Sequence, residues 1–272
     1  MKEKRPYPLR TMPASLCKSL QYLFTDIDDT LTENGILPAE SFSAIWELFN
    51  NGIRVIPVTG RPAGWCDFIA RMWPVEGVLG ENGAFFFSYD RIKKKMERRY
   101  LLSEEERLNG IKKLEKIKKR ILKEVPECQV ACDQAYRITD LAIDYCEDIN
   151  PPPGKESIKK IVSIITQEGA NYKISSIHVN CWYGDFNKLK CLKLFLQEKD
   201  GRDYKKAQNR IIYIGDSPND EPIFKDLEFS IGVANLRKYL MYIKALPLYI
   251  TESESSKGFC EAVKTIIEKK NL

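Results

Sequence analysis

The sequence predicts an α/β protein with a parallel sheet, interrupted by an inserted α+β unit. Three observations carry this. Short apolar runs alternate with helical patterns before residue 83, the same alternation returns after residue 184, and it breaks down between them. The parallel-sheet unit is therefore expected over 1–83 and 184–272, and the insert over 84–183. At 272 residues the chain has room for both and can bury enough surface to need no disulfides.

Tyr22-Leu-Phe-Thr-Asp-Ile-Asp28 is a compact apolar run, and Phe42, Ile45, Trp46 and Phe49 recur after it at helical spacing. Asn51-Gly52 ends that helix, and Ile53 to Val58 reads as the next strand. A helix after Pro62 and a short strand at Val78-Leu79 complete a β-α-β-α-β series, which right-handed crossovers turn into a parallel sheet. In the middle, strands are expected at 84–89, 96–102, 128–132, 136–145 and 172–182, with a helix over 155–168 after Pro151-Pro-Pro-Gly154. A long helix begins near Ser103, which with Glu106 forms a capping box. Leu108, Ile111, Leu114, Ile117 and Ile121 mark its apolar face. The last part gives a helix at Leu189–Leu196, a strand at Arg210–Gly215, a helix at about 219–227, strands at Phe229–Val233 and Leu248–Ile250, and a closing helix at Gly258–Lys269.

Composition excludes several classes. Hydrophobic residues make up 43% and charged residues 30%, an ordinary globular balance rather than a fibrous or disordered one. No run of eighteen apolar residues is present, so a membrane span is not expected. The opening MKEKRPYPLRTMPASL lacks an uninterrupted apolar stretch and does not read as a secretory signal. Eight cysteines with no C-x-x-C pair do not make a disulfide framework. Cys128, Cys132, Cys146 and Cys181 admit a zinc site, but reduced cysteines packed as small apolar groups in a cytoplasmic protein is the expected reading. Residues 91–120 hold 13 Lys and Arg against 5 Glu in a chain of formal charge +5. Such a run can meet nucleic acid; at helical spacing it reads instead as a solvated helix face, so no nucleic-acid partner is expected.

Three predicted strands end in polar clusters: Thr25-Asp26-Ile27-Asp28-Asp29-Thr30, Val58-Thr59-Gly60-Arg61 and Gly215-Asp216-Ser217-Pro218-Asn219-Asp220. In an open α/β sheet ligands bind at the carboxyl ends of the strands, so these groups are expected to converge. Asp26, Asp28, Asp216 and Asp220 would then crowd one crevice. Two unit charges about 4 Å apart repel by about 4 kcal/mol at an effective dielectric of about 20. A cation must neutralise them, or some must be protonated. Oxygen-only donors favour Mg²⁺, and with a single histidine, His178, a zinc or iron centre is not expected.

These residues resemble the haloacid dehalogenase-like phosphohydrolases. Asp26-x-Asp28-x-Thr30 is similar to their first motif, Thr59 to the second, Lys188 in Phe186-Asn187-Lys188-Leu189-Lys190 to the third, and Gly215-Asp216-Ser217-Pro218-Asn219-Asp220 to the fourth. Asp29 stands where the family usually has glycine. The insert lies between the second and third motifs, as in members with the large C2B (Cof-like, subfamily IIB) cap, and Glu81-Asn82-Gly83-Ala84 looks like their hinge. The resemblance implies a Rossmann-like core carrying an α+β cap, and a phosphatase. It makes Asp26 the nucleophile that forms an aspartyl-phosphate and Asp28 the acid and then the base. Asp28 favours turnover, since relatives that only need a phosphorylated state, such as ion-pumping ATPases, carry threonine there. It implies Mg²⁺ held by Asp26, the Asp28 carbonyl and Asp216, with Asp220 in support, and phosphate bound by Thr59, Gly60 and Lys188. Lys190 is the alternative to Lys188.

Cap residues contact the leaving group in this family. Arg137, Asp140, His178, Asn180 and Trp182 are candidates, with Asn82 and Asn219 from the core side. Alternation puts His178, Asn180 and Trp182 on one strand face. The G-D-S-P-N-D spelling is similar to that of members acting on sugar phosphates, so a small sugar phosphate or related metabolite is the expected substrate. A phosphohexomutase is the alternative, although the G-W-D-K-R-like stretch of eukaryotic phosphomannomutases is replaced by Trp182-Tyr-Gly-Asp-Phe-Asn-Lys188. A binding protein on the same scaffold is a third reading, which intact acids at 26, 28 and 216 disfavour.

Overall fold

The computed structural model describes residues 6–175, 177–201 and 203–272. The first part runs β1 (Tyr7–Pro8), α1 (Ala14–Ser19), β2 (Tyr22–Thr25), α2 (Ala39–Asn50), β3 (Arg54–Pro57), α3 (Ala63–Met72), β4 (Val78–Gly80), β5 (Phe85–Asp90) and β6 (Lys95–Tyr100). There follow α4 (Glu104–Glu124), β7 (Gln129–Val130), β8 (Asp140–Asp144), α5 (Lys155–Gln167), β9 (Asn171–Ile174) and β10 (His178–Trp182). The chain ends with α6 (Lys188–Asp200), α7 (Tyr204–Ala207), β11 (Ile211–Gly215), α8 (Glu221–Asp226), β12 (Ser230–Gly232), β13 (Tyr249–Ile250) and α9 (Ser255–Lys270).

Six strands form a parallel sheet in the order β1-β13-β12-β11-β2-β3, and β4 meets its edge through a parallel bridge from Val58 to Leu79. Successive residues of the central strands point to opposite faces. Leu23, Ile212 and Ile214 join one apolar cluster with α1, α2, α3 and α9, whereas Tyr22, Phe24, Ile211 and Tyr213 join another with α6, α7 and α8. Burial on both faces explains why these strands read as continuous apolar runs. β2 lies between β11 and β3, with Thr25 opposite Ile214 and Pro57. The residues that follow these three strands therefore emerge side by side.

A second sheet, β7-β8-β10-β9, is antiparallel and packs against α4 and α5 around Leu114, Ile117, Ile121, Leu141, Ile143, Ile161, Ile164 and Val179. Cys128 and Cys181 are buried in this cluster, while Cys132 and Cys146 are exposed. The third sheet, β4-β5-β6, is also antiparallel. The sequence pattern assigns its hairpin to the insert; Phe85 and Phe87 pack in one cluster of the parallel sheet and Phe86 in the other. No helix among the described residues is long and apolar enough to cross a membrane.

Several elements differ from expectation. The run at 128–132 pairs as a strand only at Gln129–Val130, and 136–145 begins with the end of a 3₁₀ turn (Cys132–Tyr136), so its strand starts at Asp140 and Arg137 stands in a connector. The stretch 172–182 is a hairpin rather than one strand, because the Ser175 hydroxyl accepts from the amides of Ile177 and His178 and turns the chain there. The capping box forms as expected, with Ser103 Oγ accepting from Glu106 N at 3.2 Å and Glu106 Oε2 from Ser103 N at 2.8 Å. Leu108 and Ile111 nevertheless stay exposed, and the buried face of α4 is Gly110, Leu114, Ile117 and Ile121. α1 and β1 precede the first element the pattern marks.

One glycine fixes where α6 begins. Gly83 has φ +95°, and a Cβ there would stand 2.3 Å from the Asn187 carbonyl oxygen. Gly35, at φ +76°, faces open space. Gly83→Ala is expected to lower unfolding free energy by about 3 kcal/mol or more, and Gly35→Ala by about 1 kcal/mol. Denaturant unfolding of the two variants measures this difference.

Candidate active site

Asp26 follows β2, is buried, and accepts from the Ile27 amide through Oδ1 at 2.8 Å. Its Oδ2 lies 2.6 Å from Lys188 Nζ, and the same ammonium lies 3.0 Å from Asp220 Oδ1. Lys188 is the first residue of α6, whose start is capped by the Asn187 side chain accepting from Lys190 N. Lys190 instead pairs with Asp185 at the surface. Of the two candidate lysines, Lys188 is therefore the one that reaches the carboxylates. Asp220 is sealed from solvent: Oδ1 also accepts from Tyr213 Oη at 2.5 Å, and Oδ2 from the amides of Asp216 and Ser217 at 3.1 and 3.4 Å. Asp216 receives only longer bonds, from Thr30 Oγ1 at 3.3 Å and Asn235 Nδ2 at 3.4 Å.

Asp26, Asp216 and Asp220 each offer one oxygen within 4.8 Å of the others. Three carboxylates are buried together with one ammonium, which pairs with two of them. Burial, reinforced by the neighbouring Asp220, pushes the Asp26 carboxyl up to about 7 despite Lys188, and burial pushes Asp216 well above its ordinary value. Lys188 is held above its usual range because Asp220 and Asp26 outweigh the effect of burial. An all-oxygen donor set with surplus negative charge fits a hard divalent cation such as Mg²⁺. Because each Asp220 oxygen already accepts two bonds, whereas each Asp26 oxygen accepts one and Asp216 receives only long ones, the carboxylates with spare acceptor capacity are Asp26 and Asp216.

Asp28 faces the same space from the opposite side of the strand end. Arg61 forks onto it, with Nη2 to Oδ1 at 2.8 Å and Nε to Oδ1 and Oδ2 at 3.1 and 3.2 Å. Arg61 Nη1 reaches Glu147 Oε1 at 2.8 Å, and Glu147 Oε2 lies 2.9 Å from His178 Nε2. The guanidinium also stacks on Trp65, 4.6 Å from the ring centroid. A single chain of charges thus runs from Asp28 to the antiparallel sheet. Thr59 is fully buried; its Oγ1 accepts from Arg61 N at 3.0 Å and keeps its own proton to donate. Gly60, not Thr59, lines the cavity.

Arg137 and Asn180 prove to be bonded within the protein. Arg137 uses Nε and Nη2 on Asp133, and Nη1 on Asp140 and the Gly60 carbonyl. Asn180 Nδ2 donates to Asp140 Oδ2 at 2.9 Å. Arg137 therefore straps the β8 connector to the loop after β3. Glu81, with φ +44°, completes that strap: its carboxylate accepts from the amides of Ala63, Ile138, Thr139 and Asp140 and from the Thr139 hydroxyl. Burial, then the charge of Asp140, pushes it up to about 7 against those donors.

Two neighbouring cavities open here. One of about 440 Å³ is lined by Asp26, Asp28, Gly60, Arg61, His178 and Asp216, among others. The other, about 430 Å³, takes in Trp182, Asn187 and Lys188. Asn82, Lys173 and Asn219 line both. Among the described residues, Asn82, buried at φ +57°, has no partner for Nδ2, and Trp182, stacked on Phe186, has none for Nε1. Sequence reasoning missed four residues of this site: Arg61 as the partner of Asp28, Glu147, Lys173 and Asn235. Arg61 was visible beside Thr59, and strand alternation would have put Lys173 on a common face with Asn171 and Ser175.

Residues 23–125 match the family model described as haloacid dehalogenase-like hydrolase. Over this stretch the chain is similar to that family. No curated protein matches it in sequence. Among solved structures it is similar to a protein from Thermoplasma acidophilum (TM-score 0.69, 16% identical, 91% of this chain and 98% of that one). It is also similar to a haloacid dehalogenase-like hydrolase from Bacteroides thetaiotaomicron (0.64, 15%, 91% and 99%) and to the sucrose-phosphatase of Synechocystis sp. PCC6803 (0.61, 13%, 91% and 98%). At these identities the likeness is one of fold, and the antiparallel sheets beside the parallel one fit the superfamily's cap.

The Arg61–Glu147–His178 chain gives a pH signature. The His178 contact, with Arg61 adding to it, holds the Glu147 carboxyl down to about 2 against the effect of burial. A depressed carboxyl stabilises the fold above its unfolded value of about 4.3, and that contribution fades as pH falls from there toward 2. Glu147→Gln is expected to cost about 1 kcal/mol at pH 7. Denaturation midpoints at pH 7, 5, 4 and 3 should show the gap between variant and wild type closing below pH 5; a constant gap would contradict the assignment.

Proposed function

We propose that the protein is a Mg²⁺-dependent phosphomonoesterase that works through an aspartyl-phosphate on Asp26. The observation that carries this is the buried Asp26 carboxylate, 2.6 Å from Lys188 and within 4.8 Å of Asp216, on the wall of a cavity that Asp28 also faces. Asp26 attacks phosphorus, and the bond from phosphorus to the alcohol oxygen breaks as Asp28 gives that oxygen a proton. Asp28 then takes a proton from the water that attacks the acyl phosphate, which releases inorganic phosphate and restores Asp26. Lys188 orients the nucleophile and, with the loop at Gly60 that Thr59 shapes from behind through the Arg61 amide, offers positive charge and donors to the phosphoryl oxygens. Mg²⁺, held by the carboxylates of Asp26 and Asp216 and the Asp28 carbonyl, would offset the charge of the transferring group. Asp220 acts one step behind, keeping Lys188 and the Asp216 turn in place.

The unit over 104–182 acts as the cap, closing the cavity on the alcohol side and excluding water. Arg61 sets the Asp28 carboxylate relative to this cap through Glu147. A small phosphorylated metabolite is the substrate class that two cavities of this size accommodate. Sugar phosphates are supported by the likeness to the sucrose-phosphatase and to a trehalose-6-phosphate phosphatase related protein.

Phosphate release from p-nitrophenyl phosphate tests the reading. Activity should require Mg²⁺, fall at least about 10³-fold in Asp26→Asn and about 10²-fold or more in Asp28→Asn. Undiminished turnover by Asp26→Asn would remove the assigned nucleophile. Independently of turnover, MgCl₂ should raise the melting temperature of the wild type in a concentration-dependent way and leave Asp216→Asn unmoved.

A further inference from the structure

The charges that line the two cavities are not equally satisfied. Arg61 is held by Asp28 and Glu147, Arg137 by Asp133 and Asp140, and Lys188 by Asp26 and Asp220. Lys173 lines both cavities, and its ammonium has no hydrogen bond or ion pair among the described residues. Its direction is set by register: β9 pairs with β10 so that Lys173 stands opposite Asn180 and Asn171 opposite Trp182. Residues directly opposite in an antiparallel pair share a face, and Asn180 and Trp182 both look into the site. Lys173 is thus a site-facing cation.

Its surroundings have the wrong balance for a resting ammonium. Burial and the like charge of Lys188 make protonation of Lys173 harder, with the smaller effects of Asp220 and Glu221 opposing. Asp185, on the wall of the cavity that takes in Trp182 and Lys188, is taken by Lys190. Two further donors beside it are buried and unmet: Asn82 Nδ2, on the wall shared by the two cavities, and Trp182 Nε1. A neutral polyol needs donors and acceptors in similar number, whereas an anion needs donors alone. Three unmet donors grouped on the alcohol side of Asp26 and Asp28 therefore suit a negative group.

We propose that Lys173 binds a second anionic group on the leaving alcohol, so that the preferred substrates are phosphate esters whose alcohol also carries a carboxylate or a second phosphate. This rests on the phosphomonoesterase reading of the same site. The ester phosphate lies at Asp26, the chain of the alcohol passes Asn82, and its far anion meets the Lys173 ammonium, with Trp182 as a further donor. Bound there, the anion offsets the repulsion from Lys188.

Matched esters test this. 6-Phosphogluconate and sorbitol 6-phosphate differ only in a carboxylate at the far end, and fructose 1,6-bisphosphate and fructose 6-phosphate only in a second phosphate. The wild type should favour the anionic member of at least one pair by about tenfold or more in kcat/KM, mostly through KM. The two pairs distinguish a carboxylate from a phosphate. In Lys173→Gln the ratio should fall toward one, and Lys173→Arg should restore most of it. Calorimetric binding of the same esters to the Asp26→Asn variant, with and without Lys173→Gln, gives a readout independent of turnover. Turnover without preference in either pair, or a preference that survives Lys173→Gln, overturns the role of Lys173 and leaves the phosphatase reading standing. Absence of turnover with a Lys173-dependent binding preference would overturn the phosphatase reading and support the anion site.

Discussion

The placement of one ammonium between two buried carboxylates organises the rest of this molecule. Lys188 reaches Asp26 at 2.6 Å and Asp220 at 3.0 Å. Removing either partner from such a buried group leaves an uncompensated charge, a larger cost than the net contribution of the pair. That constraint ties the start of α6 to the ends of β2 and β11, which belong to segments far apart in sequence. The glycine at 83 lets the α6 start come close enough for the reach, and the Asn187 cap holds its first turn. Asp220 in turn gathers Tyr213 and two backbone amides, so the turn after β11 is shaped by the same charge balance.

A second electrostatic chain connects chemistry to coverage. Arg61 forks onto Asp28 and extends to Glu147, which touches His178 on β10. Because a guanidinium holds two carboxylates in a rigid planar geometry, the position of the antiparallel unit and the orientation of Asp28 are not independent. The antiparallel unit is thereby coupled to Asp28, the residue we propose for proton transfer.

Much of this was legible in the chain. The apolar runs ending in Asp26, Thr59 and Asp216 marked both the parallel sheet and its functional edge, because strands buried on both faces show as unbroken apolar stretches. The capping box at Ser103 and Glu106 was equally plain. The antiparallel unit was harder. Strand alternation continues through the Ser175 turn, so one long strand and a hairpin read alike until the hydroxyl bonds are seen. Arg137 carried the charge of a ligand-binding residue, but its partners Asp133 and Asp140 lie four and three residues away and take up its donors. Lys173 went unnoticed for the opposite reason: nothing local distinguishes a lysine that faces a cavity from one that faces water. Partner identity across elements, not residue type, separates structural charges from available ones.

Glu81 has a mechanical consequence. Its single carboxylate gathers the amide at the head of α3 and three consecutive amides leading into β8, all out of water. Pulling the two units apart would strip the three amides leading into β8 at once while Ala63 kept its bond, so Glu81 acts as a pin that one unit drives into the other.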